Sequence, residues 1–276
     1  MFVLSLEKME EGKGNMSKVI TFTNLKGGVG KSTSTFNIGM ELAENYGLKV
    51  LCVDMDPQSN LSILGTVDIE KLDKTIGDCL ITYGEDNEVD IREIIIQLRD
   101  NLYIAPSIID LAATDTFLQS NMVMSREYVL KKVLKSVDDF FDVILIDTQP
   151  SLGLLPLNAL AASDYVIVPC STEYLSYRGL KLIENTISKV QKNLNESLVY
   201  YGVLATKHEA RNSHNIEILE LLEEKGNLIG VIPKSVKVSD AAYDGGAVVL
   251  SSPKSKPALA YKSITKKIYN ELIRKD

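Results

Sequence analysis

The chain has 276 residues, 45% of them hydrophobic and 24% charged, and a net charge of −7 at neutral pH. That composition suits one large α/β domain or two small ones, and the acidity excludes a polycation wrapped around nucleic acid, so any such contact must use a local patch. No run reaches the roughly 18 apolar residues of a membrane span, and Cys52, Cys79 and Cys170 form no CxxC pair and read as buried thiols of a reducing cytoplasm.

In chain order, residues 1–15 have an apolar start without a basic region or cleavage site. They are expected to be a disordered extension or the product of an upstream start. Residues 16–276 then form a single domain. Residues 19–22 (VITF) are a short apolar run that reads as a buried strand, and residues 34–43 after it read as a helix. Between them lies KGGVGKST, residues 26–33. Strand, glycine-rich turn and helix together point successive backbone N–H groups inward, where they cradle phosphate oxygens. Lys31 adds a mobile cation for the β- and γ-phosphates, and Ser32 offers a hydroxyl to Mg²⁺. The pattern G-x-x-x-x-G-K-[ST] asks for a glycine where this chain has Leu25, and a second lysine, Lys26, stands at the loop's entrance. The loop binds a nucleotide.

Further strands are expected at residues 49–53, 102–105, 142–146, 165–168, 199–204 and 228–232, several of them apolar on both faces. Leu180, Ile183, Ile187 and Val190 recur at helical spacing, as do Ile216, Leu219 and Leu222. This alternation predicts a doubly wound, mostly parallel α/β sheet with helices on both faces. The segment from about Gly65 to Asn101 is the least regular and is expected to hold short helices above the nucleotide edge. After the second strand, VDMDPQSN (residues 53–60) brings Asp54 and Asp56 to the carboxyl edge, where such sheets place ligands. The fourth strand closes FDVILID at Asp147, the pattern in which a terminal carboxylate holds Mg²⁺.

KGGVGKST resembles the deviant Walker A motif of the ParA/MinD/Soj ATPases, a P-loop family, and VDMDPQSN and FDVILID, following in that order, resemble its second motif and its Walker B strand. The resemblance runs from about Ser17 to the C-terminus. It implies ATP and Mg²⁺ as cofactors, with Lys26, Gly27, Gly28, Val29, Gly30, Lys31, Ser32 and Thr33 around the phosphates. It also implies Lys26 reaching across a homodimer interface to the partner's nucleotide, and Asp56 orienting the attacking water. Ser32, Asp56 and Asp147 would attend the metal, with Asp54 nearer its outer shell. TQPSLG (residues 148–153) resembles the family's switch loop, with Thr148 and Gln149 in place of its usual Cys-Pro. Residues 155–162, Glu173-Tyr174, Val231-Ile232-Pro233 and residues 253–256 resemble the ParA branch. Pro233 is implied to pack against adenine, and Lys207 to lie near the base.

From Ser251 onward there are seven basic residues and two acidic ones, a local +5 in a chain of −7. Tyr261, Ile264, Ile268 and Leu272 share one helical face, flanked by Lys262, Lys266 and Lys267. Two readings stand: a terminal helix packed on the sheet, or a sequence-independent phosphate-contact surface. Lys254, Lys256, Lys266, Lys267, Lys234, Lys237 and Arg211 are the candidate DNA contacts. The function implied is plasmid or chromosome partition, cytoplasmic and nucleoid-associated, with a ParB-like partner stimulating hydrolysis. The alternatives are a MinD-like membrane-cycling ATPase and a bacterial tyrosine kinase. Core-type spacing in the last helix counts against the first, and a C-terminus with only Tyr261 and Tyr269 counts against the second.

Overall fold

Strand side chains point alternately to opposite faces of a sheet. Here both alternating sets are apolar, so the sheet needs a cover on each side. The computed structural model describes residues 16–85, 87–121 and 125–274. The expected extension of residues 1–15, and Lys275 and Asp276 of the basic tail, lie outside them.

The chain opens with β1 (Lys18–Phe22), α1 (Lys31–Tyr46), β2 (Val50–Met55), α2 (Asn60–Leu64) and α3 (Ile76–Gly84). It continues through β3 (Ile96–Arg99), β4 (Leu102–Ala105), α4 (Leu111–Asn121), α5 (Val129–Leu134), β5 (Val143–Thr148) and α6 (Leu154–Ala162). The second half comprises β6 (Tyr165–Ser171), α7 (Tyr174–Asn193), β7 (Val199–His208), α8 (Ser213–Glu224) and β8 (Leu228–Pro233). It closes with α9 (Val236–Tyr243), α10 (Val248–Ser251) and α11 (Lys256–Ile268).

The eight strands lie in the order β3-β4-β2-β5-β1-β6-β7-β8. All neighbours are parallel except β3 and β4, as connections through helices require. One face buries Ile20, Phe22, Val50, Cys52, Val143 and Leu145 under α1 and α11. The other buries Leu51, Val53, Met55, Ile144 and Ile146 under α3 to α6, with Val166, Val168 and Val203 under α7 and α8. The doubly wound expectation holds. Gly39 lets α1 approach closely, because a Cβ there would lie 3.1 Å from Cys52 Sγ and 3.3 Å from a Leu145 methyl.

One expectation needs correction, and one open alternative is decided. The segment from Gly65 to Asn101 contains α3 but also β3, an antiparallel edge strand. None of its described residues lines the nucleotide cleft; that role falls to α2 just before it. Of the two readings of the basic C-terminal stretch, the structure bears out the helix packed on the sheet. α11 buries Pro257, Ala258, Tyr261, Ile264, Thr265 and Ile268 between α1 and β8, so its apolar face is core.

Candidate nucleotide site

The strand order reverses around β1, and ligands of such sheets sit outside the carboxyl ends of the strands at that point. The loop carrying KGGVGKST emerges there. Gly28 and Gly30 have φ of 71° and 82°, a left-handed backbone that residues with a Cβ adopt only under strain. Gly30 caps α1 with no side-chain hydrogen bond. The first N–H groups of a 16-residue helix are therefore left for an anion. The loop is also pinned from across the sheet, where the Thr206 hydroxyl at the end of β7 donates to the Val29 carbonyl at 2.8 Å.

Lys31 is 6% exposed, and the one described hydrogen bond of its ammonium is a long one, 3.5 Å to the Lys26 carbonyl. Burial holds its ammonium below the usual lysine range, opposed by the charges of Asp147 and Asp56. Asp147 is wholly buried and neighbours Asp54 in the β2–β5 register. Neither of its oxygens has a hydrogen-bond partner among the described residues; the Ser32 side chain approaches without reaching hydrogen-bond geometry. Burial first, and then the charge of Asp54, push the Asp147 carboxyl well above the ordinary range, while Ser32 and Lys31 pull it back. A buried carboxylate with both oxygens unpaired, facing a hydroxyl and an ammonium, is a donor set for a hard divalent cation. Magnesium fits Ser32 and Asp147.

Asp54 does something else. Its Oδ2 accepts from the Ser62 N–H at 2.9 Å and the Ser62 hydroxyl at 2.7 Å, and its Oδ1 accepts from the Asp56 N–H at 3.2 Å. Burial raises its carboxyl and these bonds lower it, for a net rise to about 6, and Asp54 braces the loop after β2. Ser107, in the turn after β4, donates its hydroxyl to the Asp56 carbonyl at 2.7 Å. Asp56 is thus held by its backbone on both sides. Its side chain accepts the Gln58 N–H at 2.9 Å and lines the cleft.

That cleft encloses about 510 Å³ between the glycine loop, Lys31, Ser32, Thr33, Asp56 and Pro150, with Ile63, Leu64 and Ala242 on its flank. A smaller hollow of about 180 Å³ adjoins it and shares Gly30, Thr33 and Lys207. Its walls are Thr206, Ile232, Pro233, Val238 and Tyr261. A polar phosphate chamber opening into a smaller, more apolar one has the outline of a nucleotide. Lys207 sits at the junction with φ of 52°, strained for a residue with a side chain.

Lys31, Ser32, Asp56, Asp147, Lys207 and Pro233, all read from sequence, converge here. Lys26 does not line its own cleft. Its ammonium pairs with Glu173 at 2.6 Å, both half exposed, and that bond draws the Glu173 carboxyl below its usual range. Sequence reasoning missed Ile63, Leu64, Ala242 and Ser107, which carry no motif of their own. The basic candidates fall in three places. Arg211, Lys234 and Lys237 follow the carboxyl ends of β7 and β8, with Lys234 paired to Glu209 at 2.6 Å. Lys254 and Lys256 lie at the start of α11. Lys266 and Lys267 are at its other end, where Lys267 Nζ is 6.0 Å from the Tyr201 ring near the amino end of β7. At about 3.3 Å per residue, that is some 20 Å from the Arg211 end.

Fold, loop and carboxylates together define a P-loop nucleoside triphosphatase with a second lysine at the loop's entrance. A family model described as an AAA domain matches residues 17–200. The chain is 38% identical to the sporulation initiation inhibitor protein Soj of Bacillus subtilis over 92% of its own length and 98% of the relative's. Among solved structures it resembles a plasmid partition protein of Borrelia burgdorferi, with 28% identity, TM-score 0.73 and coverage of 94% and 100% of the two chains. It also resembles a Mycobacterium smegmatis protein named cobyrinic acid a,c-diamide synthase, solved with ADP and magnesium, with 32% identity, TM-score 0.78 and coverage of 94% and 98%. The chain belongs to the ParA/Soj family of partition ATPases. Among the described residues, no helix is long and apolar enough to cross a membrane.

Proposed function

We propose that this ATPase works in plasmid or chromosome partition as an ATP-bridged homodimer that binds DNA without sequence preference. A ParB-like partner stimulates hydrolysis, and the dimer then lets go. The observation that carries this reading is the division of labour between the two lysines. Lys31 is buried in its own cleft, while Lys26, five residues earlier, stands at the rim paired only with a half-exposed carboxylate. An exposed ion pair of that kind is worth at most about 1 kcal/mol, so a second copy's triphosphate can displace Glu173.

Within each cleft the α1 N-terminus and Lys31 hold the phosphates. Asp56, braced by Asp54 and Ser107, orients the attacking water. Ser32 and Asp147 would hold magnesium, which when bound neutralises charge on the phosphate oxygens. ATP touching both chains favours the dimer, and hydrolysis removes that differential affinity. The protein then cycles between nucleoid and cytoplasm. Arg211 and Lys237, exposed at the carboxyl edge, are the foremost DNA contacts. The apolar face formed by Tyr261, Ile264 and Ile268 of α11 is spent on the core, which supports partition over a membrane cycle. The test is retention of non-specific DNA by the purified chain with ATP, with ADP and without nucleotide. Retention with ATP alone is expected; equal retention in all three would refute the switch.

A further inference from the structure

The loop of residues 148–153 leaves β5 directly after Asp147 and is fastened at both ends. At its start the Thr148 hydroxyl donates to the Phe22 carbonyl at 3.1 Å, and the Gln149 N–H reaches the Met55 carbonyl at 3.4 Å. At its end Gly153 caps α6 but has no side chain to offer. The cap comes from α4. Asp115 Oδ1 accepts the N–H of Leu154 at 2.9 Å and of Leu155 at 3.1 Å, and Gln119 donates to Oδ2 at 3.0 Å. Between the fastenings, Pro150 lines the phosphate cleft beside Gly27.

Gly153 shows what this contact demands. Its φ of −69° is open to any residue, so no turn requires glycine there. A Cβ, however, would lie 3.0 Å from Asp115 Oδ2 and 3.4 Å from Oδ1. The position is kept bare for the carboxylate.

We infer that Asp115 is a positioning residue of the nucleotide switch: from α4 it anchors the far end of the loop that crosses the phosphate cleft, and so sets how well the protein tells ATP from ADP. The inference rests on the nucleotide-binding reading above. A short loop held at both ends has few conformations, so contact with the last phosphate selects among them. With one end loose, the loop settles around either nucleotide and the preference shrinks. The anchoring bonds are charge-assisted and lie at a helix N-terminus, where a carboxylate acts most strongly.

The test compares the affinities of the full-length chain for MgADP and for a non-hydrolysable ATP analogue with magnesium, by titration calorimetry. Asp115→Ala is expected to reduce the ratio of the two affinities about fivefold or more, mainly through weaker analogue binding. A purely structural loss would weaken both nucleotides alike. Gly153→Ala attacks the same contact from the other side and should reduce the ratio similarly. In the double variant the added methyl meets no carboxylate, so the two effects should not add. A wild-type ratio in Asp115→Ala, or full additivity in the double variant, overturns the anchor alone. A wild-type chain that does not distinguish the two nucleotides would overturn the switch reading, and the anchor with it.

Discussion

The two edges of the sheet use similar side chains in opposite ways. At the amino edge the serine and carboxylates beside the strand starts find partners in the chain, although the buried Asn227 Oδ1 just before β8 has none among the described residues. The Ser17 hydroxyl is within 2.6 Å of the Asp138 carbonyl and 2.7 Å of the Phe141 carbonyl. Asp164 accepts the Val19 N–H at 2.8 Å, and Asp142 accepts the Lys49 N–H at 2.8 Å. At the carboxyl edge Asp147 has two unpaired oxygens, the Lys31 ammonium is buried with one long hydrogen bond, and Ser59 and Lys207 sit in left-handed backbone. An unpaired buried polar group costs about 1–3 kcal/mol, and more when charged. At the carboxyl edge that cost falls on a carboxylate set against a buried ammonium. Satisfied carboxylates tie strands together; unsatisfied ones wait for a ligand.

The largest test of that contrast is Asp147→Asn. Magnesium-dependent hydrolysis should fall roughly a hundredfold or more, while the nucleotide-free protein should gain stability. The sign follows from the raised carboxyl: folded Asp147 binds its proton more tightly than the unfolded chain does. Its stabilising contribution is thus complete below the ordinary carboxylate range and is lost progressively as pH rises through the raised value. Near neutral pH the neutral amide removes that penalty, and each kcal/mol recovered should raise the melting midpoint by about 2–4 °C. A midpoint lower than wild type would show that the unpaired carboxylate is not a cost. Next in size, Lys26→Ala should abolish the ATP-dependent dimer in sedimentation while sparing most monomer binding of nucleotide. A dimer that persists would remove Lys26 from the interface.

The basic groups sharpen the comparison further. Arg211→Ala with Lys237→Ala should weaken ATP-dependent DNA retention several-fold and reduce its salt dependence, whereas Lys266→Ala with Lys267→Ala should leave it nearly unchanged. The reverse ranking would move the DNA surface to the amino edge. At that edge, Asp164→Ala strands the Val19 N–H and should cost about 1–2 kcal/mol in urea unfolding, with turnover per folded molecule unaltered. The smallest effect belongs to Glu173→Gln. It should ease dimer formation about twofold at low salt, and less at high salt, as an exposed pair allows.

Much of this was legible in sequence because phosphate chemistry constrains consecutive residues. The loop from Lys26 to Thr33, the carboxylates Asp56 and Asp147, and seven of the eight strands were each written within a few neighbouring positions. β3 was not. Its four residues, Ile96–Arg99, follow the apolar run of residues 94–95, which blurs their alternation. Asp115 and Ser107 were invisible for a different reason: their partners lie about 40 and 50 residues away, and no local pattern records such a pairing. Asp54 was placed near the metal's outer shell by the resemblance alone, and its bond to Ser62, eight residues on in the short α2, left no mark in the sequence.

Tyr261 of α11 lies 3.2 Å from the Ser34 hydroxyl in the first turns of α1 and also walls the smaller chamber. The tail of the protein is in this way wired to the grip on the nucleotide, though some 230 residues separate them. Removing the Tyr261 hydroxyl would slacken that wire without touching a phosphate or metal contact, while the far end of the same helix lies at the amino edge beside Tyr201.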